Sequence, residues 1–312
     1  MTFVEFLNNL IVKKISSQNK IVIYGQNINA GSCLSGLTKN INFNKQNLVI
    51  NSQNSENSLA GLGFGLMLKG ISSIFFMKQL DFLLLSIDQI VNTYNIIRMS
   101  EPSASFTIFP VTVDSGFEGP QSSLNNLDDF CSIAGVKGFS VTNSIDATYI
   151  INNYLSSPGF RILTVGQKSL KKEIVELDLI HYDDKYNFFH YKYGKDVTII
   201  TFNQSLNYGL ELMSKFELEG ISTSFFSYNA HQIVNLSYIF NDLNNTKNLI
   251  LIDDSKSKSK VSDVFMNKIL QDLDLKSNYH IIRKEKDILF QPNEDDMKID
   301  FDYYVKQIKR MV

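Results

Sequence analysis

Cysteine, histidine and excess positive charge are all scarce in this sequence, and each scarcity removes a class of chemistry. Cys33 and Cys131 are the only cysteines and stand far apart, which suits neither a disulfide framework nor a zinc site of clustered ligands. A reducing, cytoplasmic compartment is the expectation, with no metal held by this chain's own residues. Lysine and arginine number 30 against 32 acids, for a net charge of −2, so there is no basic excess to neutralise a phosphate backbone and no nucleic acid is expected as partner. The uncharged run "LAGLGFGLML" is about half the roughly 20 residues that cross a bilayer. The opening "MTFVEFLNNLIVKK" lacks a basic leader, and its Thr2-x-x-Glu5 spacing predicts a capping box that starts an amphipathic helix. The four histidines are His181, His190, His231 and His280, which leaves the first half of the chain without an imidazole.

What is present is globular: 44% hydrophobic and 20% charged residues over 312 positions, more than one hydrophobic core holds efficiently, which predicts two domains. Short runs rich in Ile, Val and Phe recur at 20–25, 47–51, 71–77, 105–114, 138–143 and 160–165. They are apolar on both faces, as in a parallel sheet covered by helices on either side. Between them "NSLAGLGFGLMLKG", "LDFLLLSIDQIVNTYNIIRMS" and "SIDATYIINNYLSS" carry apolar residues at helical spacing. After a charged, tyrosine-rich stretch the alternation restarts at 196–202, 222–228, 247–254 and 279–284. The expected fold is α/β, with a parallel-sheet domain over residues 1–188 and a smaller α/β domain over 189–312.

"SENSLAGLGFGLMLKG", from Ser55, sets one carboxylate, Glu56, before a glycine-rich apolar run. Neither nucleotide motif fits. Counted from Gly61, the third glycine of a dinucleotide fingerprint falls on Leu66, and Ile71 stands where a P-loop needs lysine. The run then reads as a helix whose Ala60, Gly61 and Gly65 make a small face for close packing. Glu56 follows a strand and opens that helix, where the helix dipole favours an acid and open α/β sheets bind ligands. A first-turn acid with only the dipole role and a ligand-binding acid are both compatible with this position.

With "DFLLLSIDQIVN", "GPQSS" and "GVKGFSVTNSIDA" following in order, the chain resembles the thiamine-diphosphate enzymes of the transketolase and 2-oxo acid dehydrogenase group. The similarity is greatest to the β subunit of the pyruvate or branched-chain dehydrogenase first component. It implies a transketolase-like pyrimidine-binding domain followed by a transketolase C-terminal-type domain. In that family an acid before a glycine-rich helix hydrogen-bonds the cofactor's aminopyrimidine ring nitrogen and promotes loss of the thiazolium proton; Glu56 matches it. An aromatic six residues before the Asp-Gln pair, here Phe82 before Asp88 and Gln89, stacks on the pyrimidine, although an ordinary core phenylalanine would look the same. Gln79 is grouped with these cofactor-facing residues, while Asp81, Asp88 and Gln89 read as capping and packing residues.

The chain departs from the family at Ser122 and at Gln26–Asn27, and it holds only part of the family's cofactor site. Ser122 stands where the family's substrate-facing loop has histidine, and a hydroxyl can donate to a substrate oxygen but cannot shuttle protons near neutral pH. Gln26 and Asn27 replace an acidic pair. No Asp-Gly pair occurs, so the family's diphosphate and Mg²⁺ motif must come from an α-type partner, and the resemblance implies pairing through the pyrimidine domains into a two-plus-two heterotetramer. Asp253 and Asp254 could chelate a cation but read as solvated, and His231 reads as packed or surface-exposed. The expected function is decarboxylation of a small 2-oxo acid and transfer of its acyl or aldehyde unit, in a specialised biosynthetic role. The alternatives are half of a split transketolase and a degenerate, non-catalytic subunit.

Overall fold

The computed structural model describes residues 1–312 apart from 19, 42–46, 115, 117, 120 and 284–296. Helix α1 (Phe3–Ser16) leads into β1 (Val22–Gly25), β2 (Leu48–Asn51), α2 (Glu56–Leu68) and β3 (Ser73–Met77). A helical stretch from Leu80 to Ser100, with α3 (Tyr94–Ile97) inside it, precedes β4 (Ser105–Thr112). The first sheet closes with α4 (Leu127–Ala134), β5 (Lys137–Val141), α5 (Ser144–Tyr154) and β6 (Gly159–Gly166), and α6 (Gln167–Leu170) follows. Its order is β2-β1-β3-β4-β6-β5, every neighbouring pair parallel. All of β3 and β4 is buried, as expected of strands covered on both faces.

The second sheet contains β7 (His181–Tyr182), β8 (Phe188–Lys192), β9 (Val197–Phe202), β10 (Thr223–Tyr228), β11 (Asn248–Asp253) and β12 (Ser277–Ile282), in the order β12-β11-β9-β10-β8-β7. Helices α7 (Leu206–Leu218), α8 (Ser237–Thr246) and α9 (Val261–Asp272) connect its strands, and α10 (Phe301–Lys309) packs on α7. Strands β7 and β8 are antiparallel additions at one edge. A division between residues 188 and 189 therefore falls at the first residue of β8, and the second sheet starts upstream of it, at His181. The sequence hides these strands because "HYDDKYNFFHYKY" mixes aromatic and charged residues as an edge does. The last residue of the expected strand at 279–284 lies outside the described residues.

Two local expectations change. The stretch from Leu80 to Ser100 is not one α-helix but a 3₁₀ turn (Leu80–Ser86), a π turn (Gln89–Thr93), α3 and a second 3₁₀ turn. Three residues per turn place Leu80, Leu83 and Ser86 together on the buried side. In α2 the close approach is made by Gly63 rather than by Gly61 or Gly65. A Cβ at Gly63 would lie 2.3 Å from the Phe106 ring of β4, whereas one at Gly65 would meet nothing within 4 Å.

The two units are joined across the edge strand β5. Ser140 N–H donates to Asn229 O at 2.9 Å and His231 N–H to Gly138 O at 3.0 Å, which pairs the edge. Below this junction one apolar cluster runs from Phe3 and Leu7 of α1 to Phe225 and Leu249 of the second sheet. No helix among the described residues is long and apolar enough to cross a membrane.

Thermal denaturation checks the α2 packing. Gly63→Ala should cost about 1–3 kcal/mol through the clash with Phe106. Gly65→Ala should be neutral or raise stability by up to about 1 kcal/mol through helix propensity.

Candidate functional site

In a parallel sheet all strands end at one edge, and the residues that follow β2, β3 and β4 collect there. Glu56 is the first residue of α2, just after β2, and is only 6% exposed. Among the described residues it has no hydrogen-bond or ion-pair partner. A buried carboxylate is normally paired, so this one is left available, and the N-terminus of α2 favours its charge. Two buried polar atoms without a partner lie at the same edge, Gln26 Nε2 after β1 and Ser52 Oγ after β2.

Gln79 and Phe82 follow β3. They line a cleft of about 480 Å³ together with Lys78, Gly119, Gln121 and Ser122. Gln79 Nε2 donates to Ser122 Oγ, and Ser122 Oγ donates to Glu118 Oε2 at 3.1 Å. Glu118 Oε1 also accepts from Gln167 Nε2 at 3.3 Å. The part played by Asp81 is structural. Its carboxylate accepts from Ser123 N–H at 2.9 Å and Leu124 N–H at 3.1 Å, tying the segment after β4 to the turn that carries Phe82. Asp88 accepts from Asn92, and Gln89 from Thr93, so both serve local helix structure. Glu56 is not among the cleft-lining residues; its helix packs against the Leu80–Ser86 turn. Gln79, Phe82 and Ser122 are thus brought together, with Glu56 one element away. Pro120 of "GPQSS" lies outside the described residues.

Glu118 and Lys78 escaped sequence reasoning. The signal for Glu118 was an acid four residues before Ser122; the signal for Lys78 was a cation directly before Gln79. Lys78 is exposed and has no ion pair among the described residues.

A wider cleft of about 670 Å³ lies between α4 and α9 and includes Asp128 and His231. His231 Nδ1 meets Asp128 Oδ1, and its Nε2 lies 2.7 Å from Ser140 Oγ. This order imitates a hydrolytic triad, but Ser140 is fully buried in β5 and also bonds Asn203 Oδ1. The histidine is a packed one, the first of the two alternatives the sequence left open, and works as a cross-domain tie.

Asp253 and Asp254 are not solvated: each is 1% exposed. Asp254 accepts from Asn203 Nδ2 at 3.0 Å, Gln204 N–H at 2.8 Å and Asn125 Nδ2 at 3.1 Å. Asp253 accepts from Ser255 N–H and Ser262 Oγ. Among the described residues no acid, histidine or cysteine cluster could hold a metal ion. Burial raises the Asp254 carboxyl from 3.8 to about 7, partly offset by Arg283.

Sequence comparison adds an independent line. No family model matches the chain. The pyruvate dehydrogenase E1 component subunit β of Staphylococcus aureus is 20% identical over 270 residues, covering 84% of this chain and 82% of that protein. The mitochondrial counterpart of Dictyostelium discoideum is also 20% identical, covering 84% of this chain and 76% of that protein. The chain is a distant relative of these E1 β subunits. Among solved structures, a split-gene transketolase described as an inactive β4 tetramer superposes with a TM-score of 0.71 at 12% identity, covering 99% of this chain and 97% of that one. The two-domain fold is therefore transketolase-like.

A buried acid that holds its proton more tightly when folded stabilises the fold below its unfolded value and loses that contribution as pH rises through its folded value. For Asp254 the loss runs from about pH 4 to about pH 7. The melting temperature should fall across this window, and Asp254→Asn should flatten the fall.

Proposed function

We propose that this chain is the β-type subunit of a heteromeric thiamine-diphosphate enzyme that decarboxylates a 2-oxo acid and passes on the acyl or aldehyde unit in a specialised biosynthetic pathway. The observation that carries this reading is Glu56: a buried carboxylate without a described partner, at the first residue of a helix and at the carboxyl edge of a parallel sheet. The donor set fits the cofactor's pyrimidine half, because one acid can hold a proton against a ring nitrogen and the Phe82 ring can stack. When bound, thiamine diphosphate supplies a nucleophilic carbon and an electron sink for cleaving a bond beside a carbonyl.

The chain's own residues then divide the work. Glu56 holds and moves the proton at the pyrimidine nitrogen. Phe82 and Gln79 orient that ring. Ser122, whose single hydroxyl proton goes to Glu118 in the structure, turns that proton to a substrate oxygen when substrate is bound. Diphosphate and Mg²⁺ fall to an α-type partner, in keeping with the absence of an Asp-Gly pair. Exposed Leu62 and Leu68 on α2, and Leu84 and Leu85 on the turn packed against it, support burial of apolar surface here by self-association in a heterotetramer.

Reconstitution with the α-type chain tests the reading. Turnover should occur with pyruvate or a branched-chain 2-oxo acid, and Glu56→Gln should lower kcat by about 100-fold or more. Turnover of sugar phosphates alone would favour the split-transketolase alternative, and unchanged turnover in Glu56→Gln would remove the proposed role of this acid. Ser122→Ala should reduce kcat/KM by about tenfold, the loss of one hydrogen bond to substrate.

A further inference from the structure

The segment that leaves β11 lies across the first domain, on the stretch that follows β4. Val113 N–H donates to Leu124 O at 3.0 Å and closes the base of that stretch, whose residues Ser115, Phe117 and Pro120 lie outside the described residues. Lys256 reaches into it from the second domain. Its ammonium donates to the carbonyls of Val113 at 3.3 Å, Ser123 at 2.7 Å and Gly116, so it binds backbone on both sides of Ser122. The main chain reinforces the grip: Lys256 N–H donates to Asn125 O at 3.0 Å and Asn126 Nδ2 to Lys256 O at 2.9 Å. Ser255 Oγ donates to Asn125 O at 3.2 Å and Asn125 Nδ2 to Asp254 O at 3.0 Å.

Several carbonyls turned towards one point repel each other unless a cation or strong donor sits between them. A single ammonium with three donors meets that need. The opposite wall of the same stretch is pinned by Asp81, through Ser123 and Leu124 N–H. Ser123 is therefore held from both sides, its N–H by the turn that carries Phe82 and its carbonyl by the second domain. Ser122, one residue earlier, inherits that placement, with its hydroxyl against Gln79 and Glu118.

We propose that Lys256 is a positioning residue of the candidate site, supplied by the second domain, which fixes the backbone on both sides of Ser122 and thereby sets the Ser122 hydroxyl over the cleft. The proposal rests on the reading of that cleft as the substrate end of a thiamine-diphosphate site. It gives the second domain a part in substrate handling besides assembly.

The test compares Lys256→Met, which keeps most of the stem and removes the charge, with Lys256→Arg in the full-length chain assembled with its partner. Amide hydrogen exchange over residues 121–126 should rise by about tenfold in Lys256→Met, with little change in β9 and β11, and should return towards wild type in Lys256→Arg. In the same preparations kcat/KM should fall by about tenfold or more in Lys256→Met while thiamine-diphosphate affinity stays within about twofold, because a displaced hydroxyl impairs the reacting geometry and not the cofactor. Unchanged exchange over 121–126 would overturn the proposal. So would an equal rise throughout the second sheet, which would make Lys256 a general stabilising residue. If wild type showed no turnover at all, the underlying functional reading would fail, while the exchange comparison would still decide whether Lys256 fixes this segment.

Discussion

A parallel strand can be followed by its neighbour only after the chain has crossed back over the sheet, and this constraint organises the molecule. Every crossover in the first sheet starts from the same edge. Residues far apart in sequence, Glu56 after β2, Gln79 and Phe82 after β3 and Ser122 after β4, consequently gather at one end of one sheet. Burial on both faces stabilises that sheet through Ile, Val and Phe side chains, and it also takes Glu56 largely out of water. The same architecture that makes the core apolar leaves a few polar groups at its rim that solvent cannot fully serve. Gln26 and Ser52 are such groups, at the same edge as Glu56.

The second unit is held to the first by polar contacts rather than by apolar burial alone. Asn125, Asn203 and Asp254 form a buried network, Asp128 and His231 form another, and both connect segments that follow strands. Buried polar networks specify geometry at some cost in stability. Here the geometry specified is the position of the stretch between β4 and α4, which carries Ser122. Asp254, held near neutrality by its burial, shows the cost; Lys256, drawn onto three carbonyls, shows what the arrangement secures.

Most of the fold was legible. The strands of the first sheet announce themselves as short runs apolar on both faces and the parallel strands of the second as a restart of that alternation, and Glu56 stands out because no other charge follows it before Lys69. Strands β7 and β8 were not legible, since an edge pair rich in tyrosine, histidine and aspartate has the composition of a linker. The burial of Asp253 and Asp254 was not legible either, because the partners of Asp254 on the first domain, such as Asn125, lie far away in sequence. For the same reason nothing in "SKSKSK" marks Lys256 as the residue that reaches the Ser122 segment. The irregular turn from Leu80 to Ser86 escaped because Leu80 and Leu83 fit a helix of either period until the burial of Ser86 and the exposure of Leu84 and Leu85 separate the two.

Calorimetric titration of thiamine diphosphate with Mg²⁺ into the assembled complex and into this chain alone tests the central claim most directly. The account predicts saturable binding in the complex, little in the isolated chain, and clear weakening in a complex carrying Glu56→Gln. Equal binding by wild type and Glu56→Gln, or no binding by the complex, would contradict it.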